Sequence, residues 1–127
     1  MHALIIAEKD TDLEWIKNPL TATGMGMNVI KAYSMDDALE LITSIQFDLV
    51  MYDLGFSKDQ LTENLKQISQ TNGKAPIVVL TNHLGDPSAK VALKSGADYH
   101  IVKDQMNLSM LADSIRSLLL KSELNYN

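Results

Sequence analysis

The chain has 127 residues, of which 46% are hydrophobic and 21% charged, and its formal net charge is −5. These values are typical of a globular protein, so we expect residues 1–127 to form a single domain. The negative charge argues against an electrostatic surface for nucleic acid or membranes, and the absence of cysteine excludes disulfides and thiol chemistry. Since no stretch approaches the roughly 20 apolar residues of a membrane span, we expect a soluble, cytoplasmic protein.

The first third of the chain alternates apolar runs with amphipathic segments. Residues 3–7 predict a buried strand, followed by a polar loop and a helix that Asp12 could cap. Residues 28–33 predict a weaker strand, and Lys31 in its middle indicates an edge position. Ser34 opens a capping-box pattern, which predicts the start of a second helix.

Three further apolar runs predict the third, fourth and fifth strands. They cover residues 47–53, 75–81 and 99–103. Each run ends in a polar group: the carboxylate of Asp53, the hydroxyl of Thr81 and the ammonium group of Lys103.

Helical patterns separate these strands. An apolar stripe over residues 61–68 predicts the third helix, and leucine-rich residues 108–119 predict the fifth. Asp86-Pro87 is a typical start for the fourth helix, and Gly96 is a typical stop. Five strands alternating with five helices predict a doubly wound α/β sandwich around a parallel sheet.

The carboxyl ends of parallel strands share one edge of a sheet, where ligands bind. We therefore expect Asp53, Thr81 and Lys103 to meet there, around a space that fits a phosphoryl group. Asp53 would attack, Lys103 would pair with the phosphoryl oxygens and Thr81 would donate a hydrogen bond to one of them. This role predicts that Asp53 is open to solvent on one side. From its own stretch alone, an aspartate that merely ends a strand is an equally good interpretation.

Four segments together resemble the receiver domain of bacterial two-component response regulators: residues 4–8, 48–54, 76–81 and 96–103. The resemblance implies a flavodoxin-like (βα)5 fold with strand order 2-1-3-4-5. It implies that Asp53 is the phospho-accepting aspartate, Thr81 the switch hydroxyl and Lys103 the conserved lysine. The position of the aromatic switch residue is held by His100, beside Tyr99.

The same resemblance implies the partners. A histidine kinase or phosphotransfer protein would phosphorylate Asp53, and the face formed by the fourth helix, fifth strand and fifth helix would then change its preference for a downstream protein. It implies no direct contact with nucleic acid and no catalysis beyond self-phosphorylation and self-dephosphorylation. Whether the chain forms a homodimer stays open.

One departure from the family pattern concerns Mg²⁺. Family members carry an acidic pair after the first strand, whereas this chain has Glu8 followed by Lys9. Two unit charges about 4 Å apart interact by about 4 kcal/mol at an effective dielectric constant of about 20, and an ammonium group supplies no oxygen ligand. We therefore expect weak or absent Mg²⁺ binding by Glu8, Asp53 and the Gly55 carbonyl, with Lys9 paired to Asp53 instead. Two other arrangements stay open: Lys9 extends into solvent, or Asp10 turns inward.

Two functions from different classes follow. The first is a phosphorelay receiver, and the second is a phosphorylation-independent pseudo-receiver that Lys9 holds in one state. A flavodoxin-type cofactor site is disfavoured because residues 8–12 are rich in carboxylates, which repel phosphate. A phosphohydrolase is disfavoured because Gly55 stands where such an enzyme would need a second acid.

Overall fold

The computed structural model describes residues 1–7, 17–18, 20–54, 60–72, 75–82, 84–103 and 108–125. Its five strands are β1 (His2–Ile6), β2 (Asn28–Ala32), β3 (Leu49–Asp53), β4 (Ile77–Thr81) and β5 (Tyr99–Val102). They form one parallel sheet in the order β2-β1-β3-β4-β5. The predicted flavodoxin-like α/β fold is confirmed, and so is the edge position of β2.

Helices alternate with the strands. The described part of α1 is residues 17–18 and 20–22, and the other helices are α2 (Met35–Ser44), α3 (Leu61–Asn72), α4 (Pro87–Lys94) and α5 (Leu108–Asn125). None of the helices in the described ranges is long and apolar enough to cross a membrane.

The predicted helix starts of α2 and α4 are confirmed by their capping hydrogen bonds. The Ser34 hydroxyl accepts the backbone N–H of Asp37 at 3.1 Å. The Asp86 carboxylate accepts the N–H of Ser88 at 2.9 Å, and Pro87 is the first helical residue. Each side chain satisfies a donor that the helix itself leaves unpaired.

The prediction that Gly96 ends α4 is also confirmed. Gly96 has a φ of +123°, a conformation that side-chain-bearing residues rarely adopt. The turn lets the N–H of Ala97 donate to the carbonyl of Ala92 at 3.0 Å, which is the six-to-one hydrogen bond of a Schellman motif. This motif directs the chain from α4 back to β5.

The sheet is covered on both faces, as expected for apolar central strands. On one face, here called the α2–α4 face, alternate strand residues such as Val50, Tyr52 and Val79 join a core with residues of α2, α3 and α4. On the other, here called the α1–α5 face, Met51, Leu80 and Ile101 join a core with residues of α1 and α5. Because alternate side chains point to opposite faces, a residue's position along a strand decides which core it meets.

Candidate phosphoryl-acceptor site

The three predicted site residues terminate three adjacent strands. Asp53 is the last residue of β3, Thr81 is the last residue of β4, and Lys103 directly follows β5. The register pairs Asp53 with Leu80 and Thr81 with Val102. All three residues therefore lie at the carboxyl edge of the sheet.

Asp53 and Lys103 form a close ion pair. The Lys103 Nζ donates to the Asp53 Oδ2 at 2.5 Å, and the two side chains are only 11% and 4% exposed, respectively. Charge-assisted hydrogen bonds are short and strong, and a buried charge needs such a partner. The ammonium group of Lys103 is therefore hydrogen-bonded to the carboxylate that the sequence predicts to be the phosphoryl acceptor.

The expectation that Asp53 is open to solvent was wrong. Its side chain is 4% exposed. The cause lies in where the residue sits: β3 is the central strand of the sheet, so the ends of β1 and β4 flank Asp53, and Lys103 contacts its carboxylate. Access to the carboxylate requires this cover to move.

Thr81 faces a different partner. By strand alternation, Thr81 shares the α2–α4 face with Val79, whereas Asp53 follows Met51 on the α1–α5 face. The Thr81 residue is 1% exposed, and its Oγ1 lies 2.7 Å from the Nε2 of His100. In the part of the chain that the structure describes, hydrogen bonds thus join Asp53 to Lys103 and Thr81 to His100.

His100 and Tyr99, the predicted switch and partner residues, lie side by side on the edge strand β5. The His100 ring is half-buried, and Tyr99 is 39% exposed. Burial lowers the pKa of His100 below its usual value, and the negative charge of Asp86 partly opposes this shift. This lower pKa favours the neutral form of the His100 imidazole.

Sequence reasoning missed a buried polar pair beneath the site. The Asn64 Nδ2 on α3 donates to the Tyr52 hydroxyl at 2.9 Å, and the two residues are 4% and 0% exposed, respectively. Burial raises the pKa of Tyr52, and the hydrogen bond from Asn64 partly opposes this. The available signal was that Asn64 lies three residues after Leu61, inside the apolar stripe of α3, where an amide needs a polar partner.

Mg²⁺ is the cation that the resemblance implies, but the described donors do not fit it by themselves. Within the described ranges, no group of three or more histidine or carboxylate side chains could hold a metal ion. Asp53 already has one oxygen committed to the Lys103 ammonium, whereas Mg²⁺ requires an octahedral oxygen shell. Glu8, Lys9 and Gly55 lie outside the described residues, so the predicted Lys9–Asp53 pair stays a prediction.

The fold and the edge site define a class: a parallel α/β domain with an aspartate and a lysine paired at the strand ends. A model of the response regulator receiver domain matches residues 3–116. The chain therefore belongs to the response regulator receiver domain family. It is a signalling module of two-component systems rather than a catalytic enzyme, and such domains interact with histidine kinases and effector partners.

Two curated relatives illustrate the similarity. The transcriptional regulatory protein AfsQ1 of Streptomyces coelicolor is 30% identical over 123 residues, which are 97% of this chain and 53% of that protein. The transcriptional regulatory protein ZraR of Salmonella typhimurium is 36% identical over 80 residues, which are 63% of this chain and 18% of that protein. The chain thus spans about half or less of the length of these relatives.

Two solved structures of response regulators have a similar fold. A two-component response regulator from Clostridium difficile superposes with a TM-score of 0.79 at 27% identity, covering 94% of this chain and 95% of that chain. A CheY-like response regulator receiver domain protein from Methanospirillum hungatei superposes with a TM-score of 0.81 at 22% identity, covering 98% and 97%. The second likeness is one of fold.

Proposed function

We propose that this chain accepts a phosphoryl group on Asp53 from a histidine kinase or phosphotransfer protein, and that the phosphorylated form changes its preference for a downstream partner. The observation that carries the proposal is the 2.5 Å contact between Lys103 Nζ and Asp53 Oδ2 at the carboxyl edge of the sheet. A carboxylate nucleophile with an ammonium group within hydrogen-bond distance is the arrangement that phosphoryl transfer needs.

The transfer exchanges one bond for another. An Asp53 carboxylate oxygen forms a P–O bond while the bond from phosphorus to the donor's histidine nitrogen breaks, and that nitrogen keeps the electron pair. Because Lys103 lies on the carboxylate and Asp53 is covered, the ammonium group must move from the carboxylate to a phosphoryl oxygen. There it offsets the negative charge that the acceptor gains.

The output surface in this proposal is the face that α4, β5 and α5 form. Each of these three elements carries an exposed large side chain: Val91 on α4 at 46%, Tyr99 on β5 at 39% and Met110 on α5 at 50%. Exposed apolar side chains on neighbouring elements are typical of protein-binding surfaces.

Intact-mass spectrometry tests the proposal. After incubation with acetyl phosphate and Mg²⁺, the wild-type chain should gain the mass of one phosphoryl group, and Asp53→Asn should gain none. Asp36→Asn, which changes an exposed aspartate on α2, should behave as the wild type does. Absence of any gain across all Mg²⁺ concentrations would contradict the proposal.

The second candidate is the pseudo-receiver, a protein-interaction domain that works without phosphoryl transfer. The burial of Asp53 favours it, because a side chain that is 4% exposed and already paired with a cation is poorly accessible to a phosphodonor. A phosphoryl adduct on Asp53 in the same mass measurement would eliminate this candidate.

The weak Mg²⁺ binding that we expect has its own test. Lys9→Asp removes a positive charge and adds an oxygen ligand, so calorimetric titration should find Mg²⁺ binding at least about tenfold tighter than in the wild type, which corresponds to about 1.4 kcal/mol. Lys17→Asp makes the same charge change at an exposed position on α1 and should leave the titration nearly unchanged. Equal titrations of the wild type and Lys9→Asp would show that Lys9 does not hinder the cation.

A further inference from the structure

The hydrogen bond between Thr81 and His100 links the end of β4 to the edge strand β5. The two atoms, Oγ1 and Nε2, are 2.7 Å apart, and Thr81 is 1% exposed. In the part of the chain that the structure describes, it is the one hydrogen bond that either side chain makes. The Thr81 hydroxyl thus depends on His100 for a partner.

The direction of this bond depends on the charge of the ring. A hydroxyl has one proton to donate, whereas a neutral imidazole has one N–H and one lone pair, and an imidazolium has two N–H groups. When the ring is neutral, the buried hydroxyl satisfies its proton by donating to Nε2, because an unpaired buried donor is costly. The ring proton then lies on Nδ1, which the half-buried ring can present to water.

Protonation of His100 reverses the bond. Nε2 then carries a proton and donates to a lone pair of the Thr81 oxygen. The hydroxyl keeps both its place and its proton. That proton no longer takes part in the bond to His100, so it can be donated to another acceptor. Thr81 follows Leu80, the register partner of Asp53, so both residues stand at the carboxyl edge of the sheet, where a phosphoryl oxygen on Asp53 would be an acceptor for that proton.

We propose that His100 is a positioning residue for the Thr81 hydroxyl, and that protonation of His100 releases the hydroxyl proton for the phosphoryl group on Asp53. Phosphorylation is therefore favoured as the pH falls. The inference rests on the proposed function, since it concerns the state in which Asp53 carries a phosphoryl group. By thermodynamic reciprocity, phosphorylation must in turn favour protonated His100.

The charges around His100 set the pH range. β4 and α4 pack against β5, and α5 packs on the side of β5 that carries Ile101. β4 carries no titratable side chain, whereas α4 carries Lys90 and Lys94 and is capped by Asp86. Tyr99 is the other titratable group on β5 itself.

Asp86 is the group whose charge acts on the His100 ring, raising its pKa against the larger lowering by burial. On the opposite face of the sheet, the Asp113 and Arg116 side chains of α5 pair with each other at 2.8 Å. The release of the Thr81 proton should therefore set in below about pH 6.5, the ordinary pKa of histidine.

The test compares wild-type and His100→Phe chains, because phenylalanine keeps a ring at this position without either nitrogen. Both are phosphorylated with acetyl phosphate at fixed Mg²⁺ between pH 5.5 and 8, and the rates are followed by intact mass. Any pH dependence that the two chains share, including that of the donor, cancels in the ratio of the two rates. The wild-type to variant ratio should rise at least about fivefold from pH 8 to pH 5.5.

A constant ratio in chains that do take up phosphate would overturn the inference and leave the proposed function intact. If neither chain takes up phosphate, the proposed function fails and this inference fails with it. The two failures are therefore distinguishable.

Two further measurements assign the effect to His100. Asp86→Asn keeps a side chain that caps α4 well but removes the charge that raises the His100 pKa, so the midpoint of the ratio should move to lower pH. An unmoved midpoint would overturn the assignment. Nitrogen-15 spectra of the imidazole in the unphosphorylated wild type should place the neutral ring's proton on Nδ1, and a proton on Nε2 would contradict the proposed bond direction.

Discussion

The Asp53–Lys103 pair and the Tyr52–Asn64 pair are buried polar contacts next to each other along β3. In the ion pair, the ammonium of Lys103 compensates a carboxylate that is 4% exposed. In the neutral pair, the Asn64 amide donates to the Tyr52 hydroxyl inside the α2–α4 face. Each contact ties the end of the central strand to another element, so each helps to set the position of the acceptor carboxylate.

The neutral pair predicts a measurable coupling. Tyr52→Phe leaves the buried Asn64 amide without the hydroxyl that accepts from it, which should lower the free energy of unfolding by about 1–3 kcal/mol. Asn64→Leu in the same chain removes the orphaned amide, so the double variant should lose less than the sum of the single losses. Urea unfolding of the four chains measures the cycle.

Tyr99→Phe is the matched control, because it removes a hydroxyl from a tyrosine that is 39% exposed. It should change the unfolding free energy by no more than about 0.5 kcal/mol. Strictly additive losses in the Tyr52 and Asn64 variants would show that their contact contributes nothing to stability.

At the scale of the elements, local signals at helix ends set where each helix begins and stops. Ser34 and Asp86 cap α2 and α4. A longer-range tie joins α5 to the end of α1, where the Arg116 Nε donates to the carbonyl of Thr23 at 3.1 Å. A cation near the last carbonyls of a helix also offsets the negative end of its dipole.

The end of α4 predicts a cost for any side chain at position 96. A Cβ on Gly96 would lie 3.7 Å from the Ser69 Cβ, which is an ordinary contact, so the strain comes from the φ of +123°. Gly96→Ala should therefore lower the unfolding free energy by about 1–3 kcal/mol, measured by urea denaturation.

Lys94→Ala, at an exposed position in the last turn of the same helix, is the control and should stay within about 0.5 kcal/mol of the wild type. If Gly96→Ala changed the unfolding free energy as little as Lys94→Ala does, the backbone conformation at Gly96 would not be what ends α4.

At the scale of the whole molecule, burial makes stability depend on pH. The pKa of Tyr52 is raised by burial, so the folded chain holds the phenol proton at a pH where the unfolded chain loses it. The stability from this group is fully present below about pH 10, the ordinary pKa of tyrosine. It is lost as the pH rises from there through the folded pKa.

Wild-type unfolding free energy should therefore fall above pH 10 more steeply than that of Tyr52→Phe, by up to about 1.4 kcal/mol per pH unit. Urea denaturation between pH 8 and 11 measures both chains, and parallel curves would mean that Tyr52 does not cause the alkaline loss.

Much of the architecture could be predicted from local pattern. The apolar runs, the caps at Ser34 and Asp86 and the stop at Gly96 were identified correctly, because each depends on neighbours within a few residues. The strand order was different in kind: it came from resemblance to a family, since nothing local to β1 states that it pairs with both β2 and β3. The placement of Asp53, Thr81 and Lys103 at one sheet edge did not need that order, because the carboxyl ends of parallel strands share one edge.

The sequence by itself determined which residues form strands and helices and which polar groups stand at the strand ends. Only the tertiary structure decided that Asp53 is covered by a partner 50 residues away and that Thr81 bonds His100, 19 residues away. The physical reason is that strand alternation and register sort side chains between two faces of the sheet, and burial then determines which polar groups must find each other.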